Sequence, residues 1–243
     1  MLKKTITLII AAAASLGIGL GATNPREALG KPDLKAIKEA VTNENSPRYY
    51  QRLLNQFMSN DTVMSDADYQ YFYYGTLFQE DYDPYRPAPR PDMLEKLAPI
   101  YAKSKRTRSE RQMMLDYAMA VLQDNPVNLR QLVNRVYVYE QNGKYDLAKI
   151  WQHKLNHLLL VIAASGDGTT AETAWTVVYP GHEYDFLNLL GLTASAQRFE
   201  PPCYDYIEVK HVKDTDPAGC YFNISDMLEQ YFMKHPSELE AQE

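Results

Sequence analysis

The groups best suited to acid–base chemistry lie close together in the sequence, at His182, Glu183 and Asp185. One imidazole and two carboxylates are side chains that general acid–base catalysis uses, and Asp167 adds a carboxylate earlier in the chain. Acidic residues in a first helical turn are also expected from the helix dipole alone, and no serine or cysteine nucleophile motif accompanies this group. We therefore predict no catalytic residue. The alternative is a hydrolase-like envelope enzyme with a site near Asp167 and His182.

Residues 166–172 allow three interpretations. A calcium loop needs several oxygen ligands at alternate positions, and only Asp167 and Glu172 are acidic here. A phosphate loop needs a Lys-Ser/Thr ending, which this segment lacks. In the structural interpretation, which we favour, Gly166 ends a helix, Thr169 and Glu172 form a capping box, and Asp167 braces the connection.

His153 and His157 lie four residues apart in a helical pattern, a spacing that suits two ligands of one metal ion. No glutamate lies between them as in the zinc-protease motif, and no third ligand is indicated. The apolar side chains of the same segment occupy the other face, so we expect both histidines to face solvent. We predict no metal site and no cofactor.

A basic cluster lies at the junction of two predicted helices. It consists of Lys103, Lys105, Arg106, Arg108 and Arg111. Such a cluster is typical of a solvated connection, and a patch for an anionic ligand is the alternative.

The tyrosines supply the strongest indication of ligand binding. The chain contains 19 of them, and residues 69–85 combine an aromatic helical pattern with a proline-rich connection. Tyrosine offers rigid, amphipathic contact area, which suits stacking on sugar rings or holding a peptide. We predict that four of these side chains contact a ligand: Tyr73, Tyr74, Tyr82 and Tyr85. The alternative is that the rings form a core against the proline-rich segment.

The first residues have the pattern of a targeting segment. Lys3 and Lys4 precede an apolar run over residues 6–20, and small residues follow at 19–22. We predict a signal peptide over residues 1–22 and an exported protein, periplasmic or secreted. No later segment is long and apolar enough to span a membrane after signal cleavage. The formal charge of -6 gives no general attraction for nucleic acid.

The chain has two cysteines, Cys203 and Cys220. In an oxidising compartment one disulfide between them is expected. The two residues begin neighbouring predicted strands and are not automatic cross-strand partners, so two separate buried thiols are the alternative.

Two amphipathic helical patterns flank the turn Asn142-Gly143-Lys144, and we expect them to fold as a helical hairpin. The first pattern has Asn125 as its predicted cap and Pro126 at its first helical position. Capping residues also precede three further helices: Ser65, Asp92 and Thr107.

The predicted fold is mainly α, a helical-hairpin bundle with a small C-terminal α+β portion. Its predicted parts are a signal peptide over residues 1–22, a helical region over 23–165, the α+β portion over 166–236 and a loose tail over 237–243.

The turn sequence Gly143-Lys144-Tyr145-Asp146-Leu147-Ala148, with Tyr139 four residues before Gly143, resembles the middle of a tetratricopeptide repeat. The spacing covers one clear repeat, and residues 92–124 fit a degraded one. Because such repeats need about three stacked units for stability, the resemblance implies a tetratricopeptide-like hairpin and no long solenoid.

Several motifs spread over the chain are characteristic of one family in their order. They are Tyr73-Tyr74-Gly75, Asp81-Tyr82-Asp83-Pro84-Tyr85, Gly166-Asp167-Gly168, Glu172-Thr173-Ala174, Glu183-Tyr184-Asp185-Phe186-Leu187 and Tyr221-Phe222. With them the chain resembles an exported bacterial family, the domain of unknown function 4919. The resemblance implies an exported helical protein with a small mixed end and no established activity.

The leading functional hypothesis is a non-catalytic binding or protein-interaction module of the cell envelope. Its partner is expected to be a protein, a peptide or a glycan. A hydrolase-like enzyme is the alternative, and a structural envelope component is the third class.

Overall fold

The computed structural model describes residues 29–210 and 216–240. The predicted signal peptide, residues 1–22, and the last three residues of the predicted tail, 241–243, lie outside the described residues. The described part is mainly helical with one small four-stranded sheet, which confirms the predicted fold class at this level. No helix in residues 29–210 or 216–240 has the length and apolar character needed to span a bilayer.

The helices are α1 (Leu34–Thr42), α2 (Tyr50–Met58), α3 (Asp66–Gly75), α4 (Pro91–Tyr101), α5 (Arg108–Asp124), α6 (Leu129–Gln141), α7 (Tyr145–Ala164), α8 (Pro180–Leu190), α9 (Ser225–Lys234) and α10 (Pro236–Glu240). A 3₁₀ turn, Thr76–Phe78, follows α3. The strands are β1 (Trp175–Thr176), β2 (Ala194–Glu200), β3 (Tyr204–Val209) and β4 (Gly219–Asn223). Helix α10 begins one residue before the segment predicted as a loose tail, residues 237–243, and overlaps its first four residues.

Two of the predicted helix caps are confirmed. The Ser65 hydroxyl accepts from the amide of Asp68, whose carboxylate accepts from the Ser65 amide in return. Thr107 and Glu110 form the same reciprocal pair at α5. Each pair satisfies amides that a helix start leaves without partners inside the helix.

Two predicted caps are wrong. Helix α6 starts after Asn128, whose side chain accepts from the Gln131 amide, whereas Asn125 follows the end of α5. Helix α4 starts at Pro91, so Asp92 lies within its first turn. In both places a neighbouring residue can also start the helix, Asn128 in one case and Pro91 in the other. The path of the chain decides which residue becomes the first of the helix.

Contacts divide the described chain into two compact units. Unit 1 takes the described residues of Met1–Leu53, Ser65–Tyr85 and Leu158–Glu243, and unit 2 takes Leu54–Met64 and Arg86–His157. Unit 1 therefore combines N-terminal helices with the C-terminal sheet. The reason is hydrogen bonding between distant segments, because Tyr74 donates to the carbonyl oxygen of Thr176 (3.3 Å) and Tyr82 to that of Val178 (2.6 Å).

The core of unit 1 is built around the aromatic helix α3. Five of its central side chains, counting the following 3₁₀ turn, are fully buried: Tyr69, Phe72, Tyr73, Tyr74 and Leu77. A helix that is apolar on all sides is stable only when it is covered on several sides. The aromatic pattern therefore encodes a central helix.

The sheet of unit 1 has the strand order β1-β4-β3-β2, with β1 and β4 parallel and the other neighbours antiparallel. Along β3 the burial alternates, and the buried face carries Asp205, Ile207 and Val209. Since successive strand residues point to opposite faces, Asp205 shares the core side with two apolar residues.

The predicted disulfide is absent, because Cys203 and Cys220 are both free thiols. Cys220 lies opposite Ile207 in the β3–β4 register, whereas the carbonyl of Cys203 accepts from the amide of Ile224. Four residues along a strand span about 13 Å, and a disulfide requires Cα atoms within about 7 Å. The register therefore keeps the two thiols at opposite ends of β4.

Unit 2 contains α4, α5, α6 and the part of α7 up to His157. Its apolar cluster joins the first three of these helices and consists of Leu97, Ile100, Met114, Tyr117, Val121 and Val138. Arg106 of the basic cluster donates to the carbonyls of Ile100 and Tyr101 at the end of α4, and Arg111 donates to the side chain of Asn142. These two guanidinium groups hydrogen-bond across the helix junction, as the predicted connection requires.

Candidate functional site

Three of the four predicted ligand-binding tyrosines are inaccessible. Tyr73, Tyr74 and Tyr82 are buried, and their hydroxyl groups bond inside unit 1, that of Tyr73 to Nδ1 of His182 (2.8 Å). Tyr85 differs, with 49% of its surface exposed. The structure therefore supports the core interpretation for the three buried rings, and Tyr85 alone of the four is exposed.

An open pocket of about 310 Å³ lies on unit 2. It is lined by Glu140 at the end of α6 and by α7 residues Tyr145, Ala148, Lys149, Gln152, His153 and Asn156. We call it the α7 pocket. Binding sites for small molecules commonly start at about this volume.

Helix periodicity explains why these side chains meet. Ala148, Gln152 and Asn156 are four residues apart, so they lie on one face of α7 one turn above another. The buried Ala148 forms an apolar floor, while Tyr145 lies at the rim with 62% of its surface exposed. The pocket thus combines an exposed aromatic ring with a row of amide groups.

The two amides of the α7 pocket are oriented by one another. Nε2 of Gln152 donates to Oδ1 of Asn156 over 2.7 Å. Oε1 of Gln152 is buried and has no hydrogen-bond partner among the described residues. An unmet buried acceptor costs about 1–3 kcal/mol.

His153 and His157 are half-buried rather than solvent-facing, and their ring centroids are 4.1 Å apart. This corrects the predicted exposure of both side chains. Only His153 lines the α7 pocket. Among the described residues no group of three or more His, Cys, Asp or Glu side chains is arranged to hold a metal ion.

A second group of polar side chains lies inside unit 1. Glu183, in the first turn of α8, is fully buried, and its carboxyl group lies against that of Asp205 on β3, which is 6% exposed. Burial and the nearby Asp205 charge raise the pKa of Glu183 to about 9. Glu183 therefore keeps its proton at neutral pH and donates it in a hydrogen bond to Asp205.

Asp205 of this carboxyl pair is hydrogen-bonded to a side chain that lies nearer the surface. Asp205 accepts a hydrogen bond from Nε2 of Gln197 over 2.8 Å, and the Gln197 side chain in turn accepts from the hydroxyl of Tyr184. Burial also raises the pKa of Asp205, while its hydrogen bonds from Glu183 and Gln197 act in the opposite direction. The two carboxyl groups can exchange a proton but have no open access to solvent.

The residues of the alternative enzyme site take part in different contacts. Asp167 accepts from the amide and hydroxyl of Thr169 and from the hydroxyl of Thr173, as the predicted brace requires. The capping pair of this loop is formed by Thr170 and Thr173 rather than by Thr169 and Glu172. His182 instead bonds Tyr73.

Unit 2 also buries two cations against one indole ring. The guanidinium carbon of Arg135 lies 3.4 Å from the Trp151 ring centroid, and Nζ of Lys154 lies 4.9 Å from it. Lys154 donates to the backbone carbonyls of Phe57 and Ser59 at the end of α2. Burial lowers the pKa of Lys154 to about 8 and lowers that of Arg135.

The acid pair and the α7 pocket were both missed in the sequence, for different reasons. Asp205, Ile207 and Val209 are two residues apart along a predicted strand, so their side chains lie on the same face. This spacing could have predicted that Asp205 is buried. The α7 pocket had only the helical spacing of Ala148, Gln152 and Asn156. Nothing in the sequence places Glu140 of the preceding helix beside them.

Together these features define a mainly α protein with a small mixed sheet, a buried acid pair and one open polar pocket described above. The chain belongs to the DUF4919 family, a domain of unknown function, whose family model matches residues 35–233. This confirms the family resemblance drawn from the sequence motifs. No curated protein and no solved structure matches the chain.

Proposed function

We propose that this protein is a non-catalytic binding module of the cell envelope, exported through the signal peptide over residues 1–22, and that its ligand enters the α7 pocket. The observation that carries the proposal is the pocket itself. It is open, about 310 Å³ in volume, and lined by one exposed aromatic ring, two amides and charged groups of both signs. Such a combination of apolar contact and oriented polar groups is typical of a binding site.

The helix pair beneath the pocket supports a tetratricopeptide-like hairpin. Gly143, with a φ of 73°, supplies the left-handed residue between α6 and α7. Ala148 is buried, and Arg135 of α6 lies on the Trp151 ring of α7. A small residue at the contact permits close approach of the two helices, and the pocket lies where they meet.

Loss of the exposed ring tests this proposal. We expect Tyr145→Ala to weaken capture of envelope-derived peptides or oligosaccharides, measured by isothermal titration calorimetry with purified fractions of each class. Phe199→Ala is the matched control, because Phe199 is a similarly exposed aromatic residue (54%) on β2 that does not line the pocket. Equal binding by the two variants would contradict the proposal.

The buried acid pair favours a second candidate, a hydrolase-like activity. Glu183 holds a proton at neutral pH and lies against an acceptor, which is the arrangement that a general acid requires. Its complete burial weighs against substrate access. Hydrolysis of chromogenic esters or glycosides by the wild-type chain, lost in Glu183→Gln, would establish the enzyme; lack of turnover would exclude it for those bonds.

A further inference from the structure

The α7 pocket combines a flat aromatic ring with planar side-chain groups that form hydrogen bonds. The Tyr145 ring is largely exposed at the rim. The Asn156 amide and the Glu140 carboxylate each carry two polar atoms in one plane. Neighbouring hydroxyl groups on a ring are spaced to bond such paired atoms, while the C–H face of the ring covers an aromatic side chain.

The mixture of donors and acceptors in the lining narrows the ligand chemistry further. Lys149 and the Asn156 amide supply N–H donors, and the Glu140 carboxylate supplies acceptors. A hydroxyl group donates and accepts at one oxygen, so it can bond both kinds of group. Nε2 of Gln152 donates to Oδ1 of Asn156 and thereby orients the Asn156 amide.

The charges of the pocket favour a neutral ligand. Glu140 and Lys149 contribute one negative and one positive side chain to the lining. An anionic or cationic ligand would meet a like charge as well as an opposite one. Recognition of an extended peptide uses a free sheet edge or a row of apolar pockets, whereas the apolar floor here is the single Ala148 side chain.

Resting on the proposed binding function, we propose that the α7 pocket binds one ring of a neutral oligosaccharide. The Tyr145 ring stacks on the sugar face, and Glu140 and Asn156 bond neighbouring ring hydroxyl groups, while Gln152 orients the Asn156 amide.

Titration of the full chain with defined neutral disaccharides tests this inference. The probes are the β-1,4-linked dimers of glucose and of N-acetylglucosamine, observed by calorimetry up to about 10 mM, which covers weak single-ring affinities. We expect binding by the wild type and a loss of about tenfold in Tyr145→Ala, the size of one aromatic contact. Asn156→Ala should weaken binding similarly, whereas Phe199→Ala should bind as the wild type does.

Tyr145→Phe separates a contact role from a folding role, because it keeps the ring. It should bind the disaccharides about as well as the wild type does, and the far-ultraviolet circular dichroism of all variants should match. Absence of binding by either disaccharide, or unchanged binding in Tyr145→Ala, would overturn the sugar inference.

A tripeptide such as trialanine distinguishes failure of the inference from failure of the proposed function. Peptide binding that Tyr145→Ala abolishes, with no sugar binding, would overturn the sugar inference and retain the binding module. Lack of binding by either class would count against both.

Discussion

The carboxyl group of Glu183 lies against that of Asp205 in the interior of unit 1, with no N–H or O–H donor from the described residues at either Glu183 oxygen. Glu183 is in the first turn of α8, where a negative charge would be favoured, yet burial raises its pKa to about 9. Desolvation and the Asp205 charge therefore outweigh the helix dipole. One proton, carried by Glu183, links the two carboxyl groups in a hydrogen bond.

The shared proton makes the free energy of unfolding depend on pH. The folded-state pKa of Glu183 lies above its unfolded value, so its stabilising contribution is complete below about pH 4 and is lost as the pH rises toward 9. At most one proton is involved, so the slope is about 1.4 kcal/mol per pH unit. We expect urea unfolding of the wild type at pH 5, 7 and 9 to show this decline.

Glu183→Gln should flatten that decline, because the amide keeps a donor for Asp205 and has no charge to gain. Glu208→Gln is the control, because Glu208 is an exposed carboxylate on β3, the strand that carries Asp205. Its free energy of unfolding should vary with pH as that of the wild type does. Parallel profiles for Glu183→Gln and the wild type would show that the two carboxyl groups do not share a proton.

Two buried cations on Trp151 should differ in their effect on stability. Lys154 donates to the carbonyls at the end of α2, so Lys154→Met leaves these acceptors unmet and should cost about 2–4 kcal/mol. Arg135 has a buried Nη1 without a hydrogen-bond partner in the described chain. Removal of a buried charge that lacks full compensation can be neutral or stabilising, so Arg135→Met should change the free energy by about 1 kcal/mol or less. Chemical denaturation measures both, and a larger loss in Arg135→Met would contradict the argument.

Two glycines with nearly equal positive φ values should respond differently to alanine. Gly168 and Gly143 have φ values of 71° and 73°. A Cβ at Gly168 would lie 2.6 Å from the Trp175 ring, whereas one at Gly143 would meet nothing within 4 Å. Gly143→Ala should therefore cost only the left-handed strain of about 1–2 kcal/mol. Gly168→Ala should cost at least 1 kcal/mol more. Equal shifts of the unfolding midpoint would show that the Trp175 ring moves aside freely.

Both cysteines should titrate as free thiols. Without reductant, a thiol reagent should modify two groups per denatured chain. In the native protein Cys203, which is half-buried, should react before Cys220, because Cys220 is buried and burial raises its pKa to about 11. The thiolate is the reactive form. Fewer than two thiols in the denatured, unreduced chain would contradict the β3–β4 register.

The local features of the fold could be predicted because nearby residues determine them. The reciprocal caps at Ser65 and Thr107 use an acid three residues later. The turn at Gly143 uses a residue that tolerates positive φ. Where two neighbouring residues could cap the same helix, as Asn125 and Asn128 could for α6, the prediction from sequence named the wrong one.

The candidate sites were less predictable, because each joins residues from separate elements. Tyr73 and His182 lie 109 positions apart, and the choice between a core and a surface role for Tyr73 depended on what covers α3. The predicted disulfide failed for the same reason, since register rather than the number of cysteines fixes which residues are opposite.

By itself the sequence determined a mainly helical chain, its family and the positions of its main turns, because hydrophobic period and capping are local properties. The tertiary structure alone decided that the tyrosines of α3 are buried, that Glu183 meets Asp205 and that Glu140 joins the α7 pocket. The physical reason is that burial and proton sharing arise only when distant segments exclude water together.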